Sequence, residues 1–443
     1  MEYPGAKFIY PLRKTMLIFF IMVFFIMAPI IILYTEGYRW DWKNGFLKET
    51  GAISVDVLPK NSTVYLNGIK LKDKMPIRLN NAAPAKYSIR IIAPGFFDWT
   101  KNIEVKNKQT EYIKEVSLIK KNKPKLLISG GITELALSND SNFLAYGIKQ
   151  KNTTEFWIYN ILNGASTRLF SSENSQPQII WAKKNNFAII FEKDKNLAMI
   201  INAEKPAEQI SLYNLESKQI NKIEWSESSD PQLFYSTADE FVSFFPATGQ
   251  RTQISKNNYV DWHMNSGQLW TLFLNTSTNK YEIKKDILGF SSILAKFDSD
   301  GSSWKLLTAR KNAALLKKIG AEEMLVVDDK KIYPFAGDKF LISDYNDWWL
   351  MWTKWELWTY SYGEEPYLLN RSGENLKDLE PMDEFNTLAL IWEKKMTVLF
   401  PYYLVAHELL GENINMVEAN SKDKILYFTA EIKGQNGIWS LNY

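Results

Sequence analysis

Few side chains in this 443-residue chain could carry out catalysis. His263 and His407 are the only imidazoles and there is no cysteine, so a Ser-His-Asp arrangement must use one of these histidines. The lack of cysteine excludes disulfides, zinc ribbons, iron–sulfur clusters and thiol catalysis. The motifs G-x-S-x-G, G-x-G-x-x-G and a phosphate loop ending in GK[ST] are missing. We therefore predict a protein that is not an enzyme and that has no cofactor.

One acidic stretch has partial metal-site character. Asp298-Ser299-Asp300-Gly301 resembles the start of a calcium loop, but the glycine comes too early and the acidic twelfth ligand would fall at Ala309. We expect no metal there. His263 directly follows Trp262, where packing between strands or a surface position is the expected role.

The strongest binding candidate is the aromatic stretch DWWLMWTKWELWTYSYG, residues 347–363. On a strand, alternate side chains point to opposite faces, so some rings should fill a core while others face outward. Exposed rings would suit the faces of sugars, whereas buried rings would only pack. The possible ligand-binding residues are Trp348, Trp349, Trp352, Trp355 and Trp358.

The elements that would position these residues begin at a membrane. Residues 15–35 contain no charge, and 13 of these 21 residues are Leu, Ile, Phe or Val. A helix of that length rises about 31 Å, which matches a hydrocarbon core of about 30 Å. The stretch is longer than the core of a cleaved signal peptide and lacks a small-residue cleavage site. We predict a signal anchor in contact with the lipid bilayer.

Charges next to this span predict its orientation. Lys7, Arg13 and Lys14 precede it against the single acid Glu2, which keeps residues 1–14 in the cytoplasm and places the bulk of the chain outside. We expect a single-pass protein of the cell membrane with a juxtamembrane linker at residues 36–49. Aromatic residues predicted to lie at the membrane interface are Tyr34, Tyr38, Trp40 and Trp42.

Residues 50–118 alternate apolar and polar side chains in short runs separated by Gly, Pro and Asn. This pattern predicts a small module of antiparallel strands. Asn67-Gly68 follows the run TVYL and is the signal for a two-residue hairpin of type I′.

This segment resembles the PEGA domain, a small extracytoplasmic β-module of bacterial surface proteins. The matching residues are Gly51, Pro59, Val64 to Gly68, Pro76, Leu79, Tyr87, Pro94-Gly95-Phe96, Trp99, Val105 and Leu118, and the upstream Gly37-Tyr38-Arg39 is typical of membrane-anchored members. Ala85 departs from the pattern, because the family usually has a glycine there.

Charge is uneven along the chain although the total is only +3. Residues 51–118 carry 11 basic and 6 acidic side chains. They could contact lipid headgroups or an anionic wall polymer, or simply keep strand edges soluble. The near-neutral total argues against a nucleic-acid partner.

Residues 125–443 contain degenerate repeats. The phrase LALSNDSNFLAYG recurs as IIWAKKNNFAIIFE, IEWSESSDPQLFYST and VDWHMNSGQLWTLFL, with Leu137, Trp181, Trp225 and Trp262 in one slot at steps of 44, 44 and 37 residues. Each unit contains four strands, as in a propeller blade. Weaker copies bring the prediction to eight blades, with seven as the alternative.

The chain ends supply one further expectation. The last unit has only three strands, and KLLIS (125–129) is a single strand before the first unit. Pairing the two would close the ring and remove an exposed edge. The arrangement resembles the degenerate TolB-like and WD40-like propellers that follow PEGA domains in some bacterial surface proteins.

Together these features predict an all-β protein after an N-terminal transmembrane helix, with a linker at 119–124 between the module and the propeller. The expected function is extracytoplasmic binding or scaffolding in the bacterial cell envelope, with the propeller as a protein-interaction platform. The expected partner is an envelope protein or a cell-wall glycan. The alternatives are a glycan binder that uses the Trp-rich blade and a diverged propeller hydrolase.

Overall fold

The computed structural model describes residues 9–443 except 42–44, 174–175, 217, 257, 288–289, 344 and 346. The chain divides into two compact units between Lys121 and Asn122.

The first unit begins with helix α1 (Ile9–Thr35), which contains Pro29. From Arg13 to Thr35 the helix is long and apolar enough to cross a membrane, and nearly all of these side chains are exposed. An apolar helix with no protein packed around it requires another apolar solvent. A membrane anchor and a signal sequence both fit this helix.

The segment predicted as a juxtamembrane linker is a hairpin. Strands β1 (Tyr38–Asp41) and β2 (Phe46–Glu49) pair antiparallel, with Tyr38 opposite Glu49. Helix α1 ends before Gly37, whose φ of 85° belongs to the left-handed region that glycine favours at helix ends.

Seven strands in two sheets follow. One sheet has the order β6-β3-β9 and the other β5-β4-β7-β8. The strands are β3 (Gly51–Leu58), β4 (Thr63–Leu66), β5 (Ile69–Lys70), β6 (Ile77–Ala82), β7 (Ala85–Ile92), β8 (Trp99–Val105) and β9 (Thr110–Ser117).

Local signals in this module agree with the structure, whereas a long-range pairing differs. Asn67 and Gly68 have φ values of 50° and 80° and connect Leu66 directly to its partner Ile69, which confirms the predicted hairpin. Strand β9, however, pairs parallel to β3. The predicted antiparallel pairing holds for the other strand pairs of the module. The parallel pair was not predicted, because parallel partners are joined by a long crossover that leaves no turn signal.

The described residues of the second unit form eight four-stranded sheets, named here blades 1 to 8. The first seven consist of consecutive strands. Blade 1 contains β11 (Ile132–Leu137), β12 (Phe143–Gln150), β13 (Thr153–Asn160) and β14 (Ala165–Glu173); blade 2 contains β15 (Gln178–Trp181), β16 (Phe187–Glu192), β17 (Leu197–Asn202) and β18 (Gln209–Ser211). A single helical turn, α2 (Leu212–Leu215), follows β18.

The next blades repeat this order. Blade 3 contains β19 (Lys222–Trp225), β20 (Leu233–Ser236), β21 (Glu240–Phe245) and β22 (Gln250–Lys256); blade 4 contains β23 (Asp261–Asn265), β24 (Gln268–Asn275), β25 (Lys280–Ile287) and β26 (Phe290–Asp298); blade 5 contains β27 (Trp304–Arg310), β28 (Ala313–Lys318), β29 (Glu323–Asp328) and β30 (Ile332–Ala336).

The remaining strands complete the unit. Blade 6 contains β31 (Lys339–Ile342), β32 (Trp349–Trp352), β33 (Glu356–Tyr360) and β34 (Tyr367–Arg371); blade 7 contains β35 (Leu376–Pro381), β36 (Leu388–Trp392), β37 (Met396–Phe400) and β38 (Val405–Leu410); blade 8 contains β39 (Ile414–Asn420), β40 (Ile425–Ile432), β41 (Gln435–Asn442) and β10 (Lys125–Ser129).

The blades form a closed ring. First strands of successive blades contact each other, as β11 does with β15 and β23 with β27, and β39 of blade 8 contacts β11 of blade 1. The hydrophobic clusters mix residues from two neighbouring blades, such as Ile200 with Trp225 and Leu306 with Trp270. The core therefore lies between blades, as in a β-propeller.

Closure uses both ends of the unit. Strand β10 pairs antiparallel with β41 and becomes the outer strand of blade 8, as the sequence predicts. Gly437 is required at this junction, because any Cβ atom there would collide with the carbonyl oxygen of Ile128.

The repeat tryptophans are only partly equivalent. The Nε1 of Trp181 donates to the Ala136 carbonyl, and that of Trp225 donates to the Ile180 carbonyl one blade earlier. Trp262 instead donates to Ser236 Oγ. The predicted equivalence of Trp262 was wrong, which agrees with the shorter 37-residue step before it.

Candidate functional site

The Trp-rich stretch lies mostly inside the ring. Trp348 and Trp352 pack with Leu390 and Trp392 of blade 7. Trp349 packs in the opposite direction, in a cluster with residues of blade 5. Because successive side chains on a strand alternate, one strand fills two neighbouring inter-blade cores.

The five tryptophans do not share one exposed face. Trp348, Trp349 and Trp352 are buried, and Trp358 is half-buried with its Nε1 donating to Glu356 Oε2 at 3.0 Å. Only Trp355, 49% exposed, presents a large area to solvent. The set predicted as a possible sugar platform is therefore divided between two cores and a surface turn.

A different aromatic surface lies beside this stretch. The tyrosine patch is defined here as the exposed residues Tyr345, Tyr362, Tyr367, Tyr402 and Leu404, which are 41 to 65% exposed. Trp348 lies beneath it, with its ring 5.5 Å from that of Tyr402. Burial raises the pKa of Tyr367, and the nearby Tyr402 and Glu364 raise it further.

Topology places these residues at the same end of their blades. Tyr345 lies in the connection between the first and second strands of blade 6, and Tyr362 lies between its third and fourth strands. Tyr402 and Leu404 occupy the corresponding third connection of blade 7. In an antiparallel meander alternate connections fall at the same end of the sheet. The tyrosine patch therefore occupies one end of blades 6 and 7.

A second candidate region is a charged network on the first strands of blades 3 to 5. Lys222 Nζ lies 3.1 Å from Glu224 Oε1 and 3.0 Å from Asp261 Oδ1. It also donates to the carbonyls of Trp262 and Leu306. The network connects β19, β23 and β27, and it was not predicted from the sequence.

The network shifts the pKa of its members. Burial disfavours the charged form of Glu224, but His263 and Lys222 outweigh that effect and lower its pKa to about 2. Burial also opposes the charge of Lys222, yet Glu224 and Asp261 raise its pKa. The fold therefore stabilises the charged forms of both Glu224 and Lys222.

Part of this network has the connectivity of a catalytic triad. Glu224 Oε2 lies 3.1 Å from His263 Nδ1, and His263 Nε2 lies 3.4 Å from Thr308 Oγ1. A nucleophile must reach its substrate, but Thr308 is only 1% exposed. This burial favours a structural role. His407, the other imidazole, lies on β38 with its ring 5.9 Å from that of Phe400.

Carboxylates on the first strands of blades 1, 7 and 8 behave differently. Burial raises the pKa of Glu134 to about 7, with a contribution from Glu192. Burial also raises the pKa of Asp378. The pKa of Glu418 is well above its usual value, because burial and the nearby Asp378 outweigh the hydrogen bond from the Leu137 backbone.

Near the C-terminal end of helix α1, aromatic and basic side chains are paired. The Arg39 guanidinium lies 3.7 Å from the centre of the Tyr34 ring and donates to the Tyr34 carbonyl. Tyr38 OH donates to Glu49 Oε1, and Lys108 lies over the Tyr38 ring. Trp40 is exposed, and Trp42 lies outside the described residues.

The strand pattern and turn residues of the first unit agree with a family comparison. Residues 50–119 match the PEGA domain. The match begins one residue before β3 and ends at Ile119, whose side chain is buried. The match therefore extends one residue beyond the predicted segment 50–118.

Solved structures similar to the chain include propellers and a lyase. The Dos1 propeller has a TM-score of 0.48 at 12% identity and covers 72% of this chain and 94% of its own. The Cps50 (Swd1) β-propeller domain of Myceliophteria thermophila has a TM-score of 0.43 at 9% identity, with 72% and 98% covered. An oligogalacturonate lyase in complex with manganese has a TM-score of 0.37 at 10% identity, and the match covers 70% of this chain and 89% of the lyase. No curated protein matches the sequence.

Sequence signals existed for both the tyrosine patch and the Lys222 network. In blades 6 and 7 aromatic residues occur in the connections between strands as well as in the strands. Burial is not expected for a residue in a connection. Lys222 and Glu224, like Asp261 and His263, alternate with apolar residues on a first strand. Such alternation places the charged pair on one face of the strand.

Proposed function

We propose that this chain is a single-pass membrane protein that binds another protein outside the cytoplasm through its propeller. The PEGA module follows the apolar helix directly and the propeller follows the PEGA module. The positive charges before the span favour a cytoplasmic N-terminus. In this proposal, the cell envelope of a bacterium is the setting.

The tyrosine patch is the observation that carries this proposal. Four tyrosines and one leucine are exposed at one end of two neighbouring blades. Tyrosine is enriched at protein interfaces, since it combines a large apolar ring with a polar hydroxyl. Strands of blades 6 and 7 flank the connections that carry these residues, and a side chain that is ordered before binding loses less entropy when it binds.

Site-specific photocrosslinking tests the patch in cells. A photoreactive benzoylphenylalanine at Tyr402 should crosslink to a defined protein partner. The same group at Phe290, 82% exposed on blade 4, is the matched control. Tyr362→Ser should abolish the crosslink from position 402 without changing the melting temperature. Equal crosslinking from both positions, or none from position 402, contradicts the proposal.

A diverged hydrolase is the second candidate, and the raised pKa values of Glu134, Asp378 and Glu418 favour it. A carboxyl group that is protonated near neutral pH could act as a general acid. Hydrolysis of chromogenic glycosides by the wild type, lost in Glu418→Gln but retained in Glu431→Gln, would support this candidate. A partner crosslink without hydrolysis supports protein binding.

A further inference from the structure

A large cavity opens at the end of the propeller opposite the tyrosine patch. It has a volume of about 820 Å³ and is bounded by blades 2 to 5. Among the residues that line it, Lys222 and Lys305 lie near the beginning of the first strand of their blades. Lys193 and Ile319 lie in connections between second and third strands. These positions lie at the other end of the meander from the connections that carry the patch.

The charges at the floor of this cavity are already satisfied. Asp261 Oδ1 accepts from Lys222 and from the Trp262 backbone, and its Oδ2 accepts from the Leu306 backbone at 2.8 Å. Lys222 is held by Glu224 and by two carbonyls besides Asp261. The charges of Lys222 and Asp261 are therefore compensated within the protein and do not need a ligand.

Two ammonium groups at the cavity wall remain available. Lys193 and Lys305 are exposed and line the cavity. Neither forms an ion pair with any of the described residues. Because Asp261 is fully occupied, the accessible charge in the cavity is positive. Two unpaired cations around one cavity favour a ligand with at least two anionic groups.

Apolar side chains form part of the remaining wall, together with uncharged polar residues. Ile319 and Val260 are 52% and 45% exposed, and Ile180, Phe191 and Leu307 are half-buried beside them. Exposed aliphatic side chains suit the apolar side chains of a peptide better than the hydroxyl-covered faces of a charged sugar, whose polar groups would lose water without replacement.

We infer that this cavity binds an acidic peptide segment of a protein partner, with carboxylates at Lys193 and Lys305 and an apolar side chain against Ile319. This inference goes beyond the proposed function, because it assigns a second site at the opposite end of the ring. It does not require that the tyrosine patch bind anything.

Fluorescence anisotropy with the full-length protein in lipid nanodiscs tests the site. The probe is a fluorescein-labelled ten-residue peptide in which Asp alternates with Leu and Phe. Lys193→Glu with Lys305→Glu should weaken binding at least tenfold. The control pair Lys394→Glu with Lys422→Glu changes the net charge equally at two exposed lysines that do not line the cavity. It should change the dissociation constant less than twofold.

A second pair of variants tests the apolar wall. Ile319→Ser should weaken binding about fivefold, whereas Ile254→Ser, at a similarly exposed position away from the cavity, should have no effect. Failure of the wild type to bind the peptide overturns the inference, as does an equal loss in both lysine pairs. Competition by oligogalacturonate together with an inert Ile319→Ser variant would assign the cavity to an anionic glycan instead. Crosslinking at Tyr402 is unaffected by any of these results.

Discussion

At the scale of single residues, Trp352 and Trp355 lie three positions apart but differ in burial. Trp352 is 3% exposed in the core between blades 6 and 7, whereas Trp355 is 49% exposed. Replacing Trp352 by Ala should lower the free energy of unfolding by about 3 to 5 kcal/mol through the cavity it leaves. Trp355→Ala should change it by less than about 0.5 kcal/mol. Denaturant unfolding of the propeller measures both, and similar losses would contradict the assigned burial.

Glu418 makes stability depend on pH. Its pKa is raised above the ordinary value of 4.5 in the folded protein, so folding favours the protonated carboxyl group. This contribution to stability is full below pH 4.5 and is lost as the pH rises through the raised pKa. Glu418→Gln keeps an acceptor for the hydrogen bond from the Leu137 backbone. The melting temperature of this variant should depend less on pH than that of the wild type between roughly pH 5 and 9.

The exposed Glu431 of the same blade provides the control for this prediction. Glu431→Gln should retain the wild-type pH dependence, because water solvates an exposed carboxylate in both the folded and the unfolded chain. If the melting temperatures of the wild type and Glu418→Gln change with pH in the same way, ionisation of Glu418 does not destabilise the folded protein.

At the scale of elements, one lysine connects three first strands. Lys222 of β19 binds Asp261 of β23 and the Leu306 carbonyl of β27. Lys222→Met would leave the largely buried Glu224 and Asp261 without this cation, and we expect a loss of roughly 3 kcal/mol, the lower limit for breaking a buried ion pair. Lys394→Met at an exposed position should cost little. Equal unfolding midpoints would show that the network contributes nothing to the ring.

The closing strand depends on a single glycine. Gly437 of β41 faces β10 so closely that a methyl group would collide with the Ile128 carbonyl. Gly437→Ala should destabilise the propeller by about 1 to 3 kcal/mol and promote aggregation through the uncovered edge of β41. Gly373→Ala, at a position with open space around it, is the control. Unchanged melting and solubility of Gly437→Ala would show that pairing with β10 does not stabilise the ring.

At the scale of the whole molecule, orientation across the membrane can be tested by cysteine labelling, because the chain contains no natural cysteine. Leu162 is 79% exposed on the propeller, and position 2 precedes the apolar span. In intact cells a membrane-impermeant maleimide should label Leu162→Cys but not Glu2→Cys. After lysis both should react. Labelling of Glu2→Cys alone in intact cells would reverse the proposed topology.

The sequence by itself determined the features that depend on local order. The apolar span, the Asn67-Gly68 hairpin, the PEGA pattern and the four-strand repeat each follow from neighbouring residues, because hydrophobic period and turn chemistry act over a few positions. The unpaired strand at 125–129 even predicted how the ring closes. The eight four-stranded sheets among the described residues of the second unit agree with the predicted eight blades and not with the seven-bladed alternative.

Only the tertiary structure decided which side chains meet. The tyrosine patch combines connections of two blades, and the Lys222 network joins residues up to 84 positions apart. The same packing divides the five tryptophans of one continuous stretch between two cores and the surface. Burial in a propeller depends on the wedge between neighbouring blades, and that wedge exists only after the ring has closed.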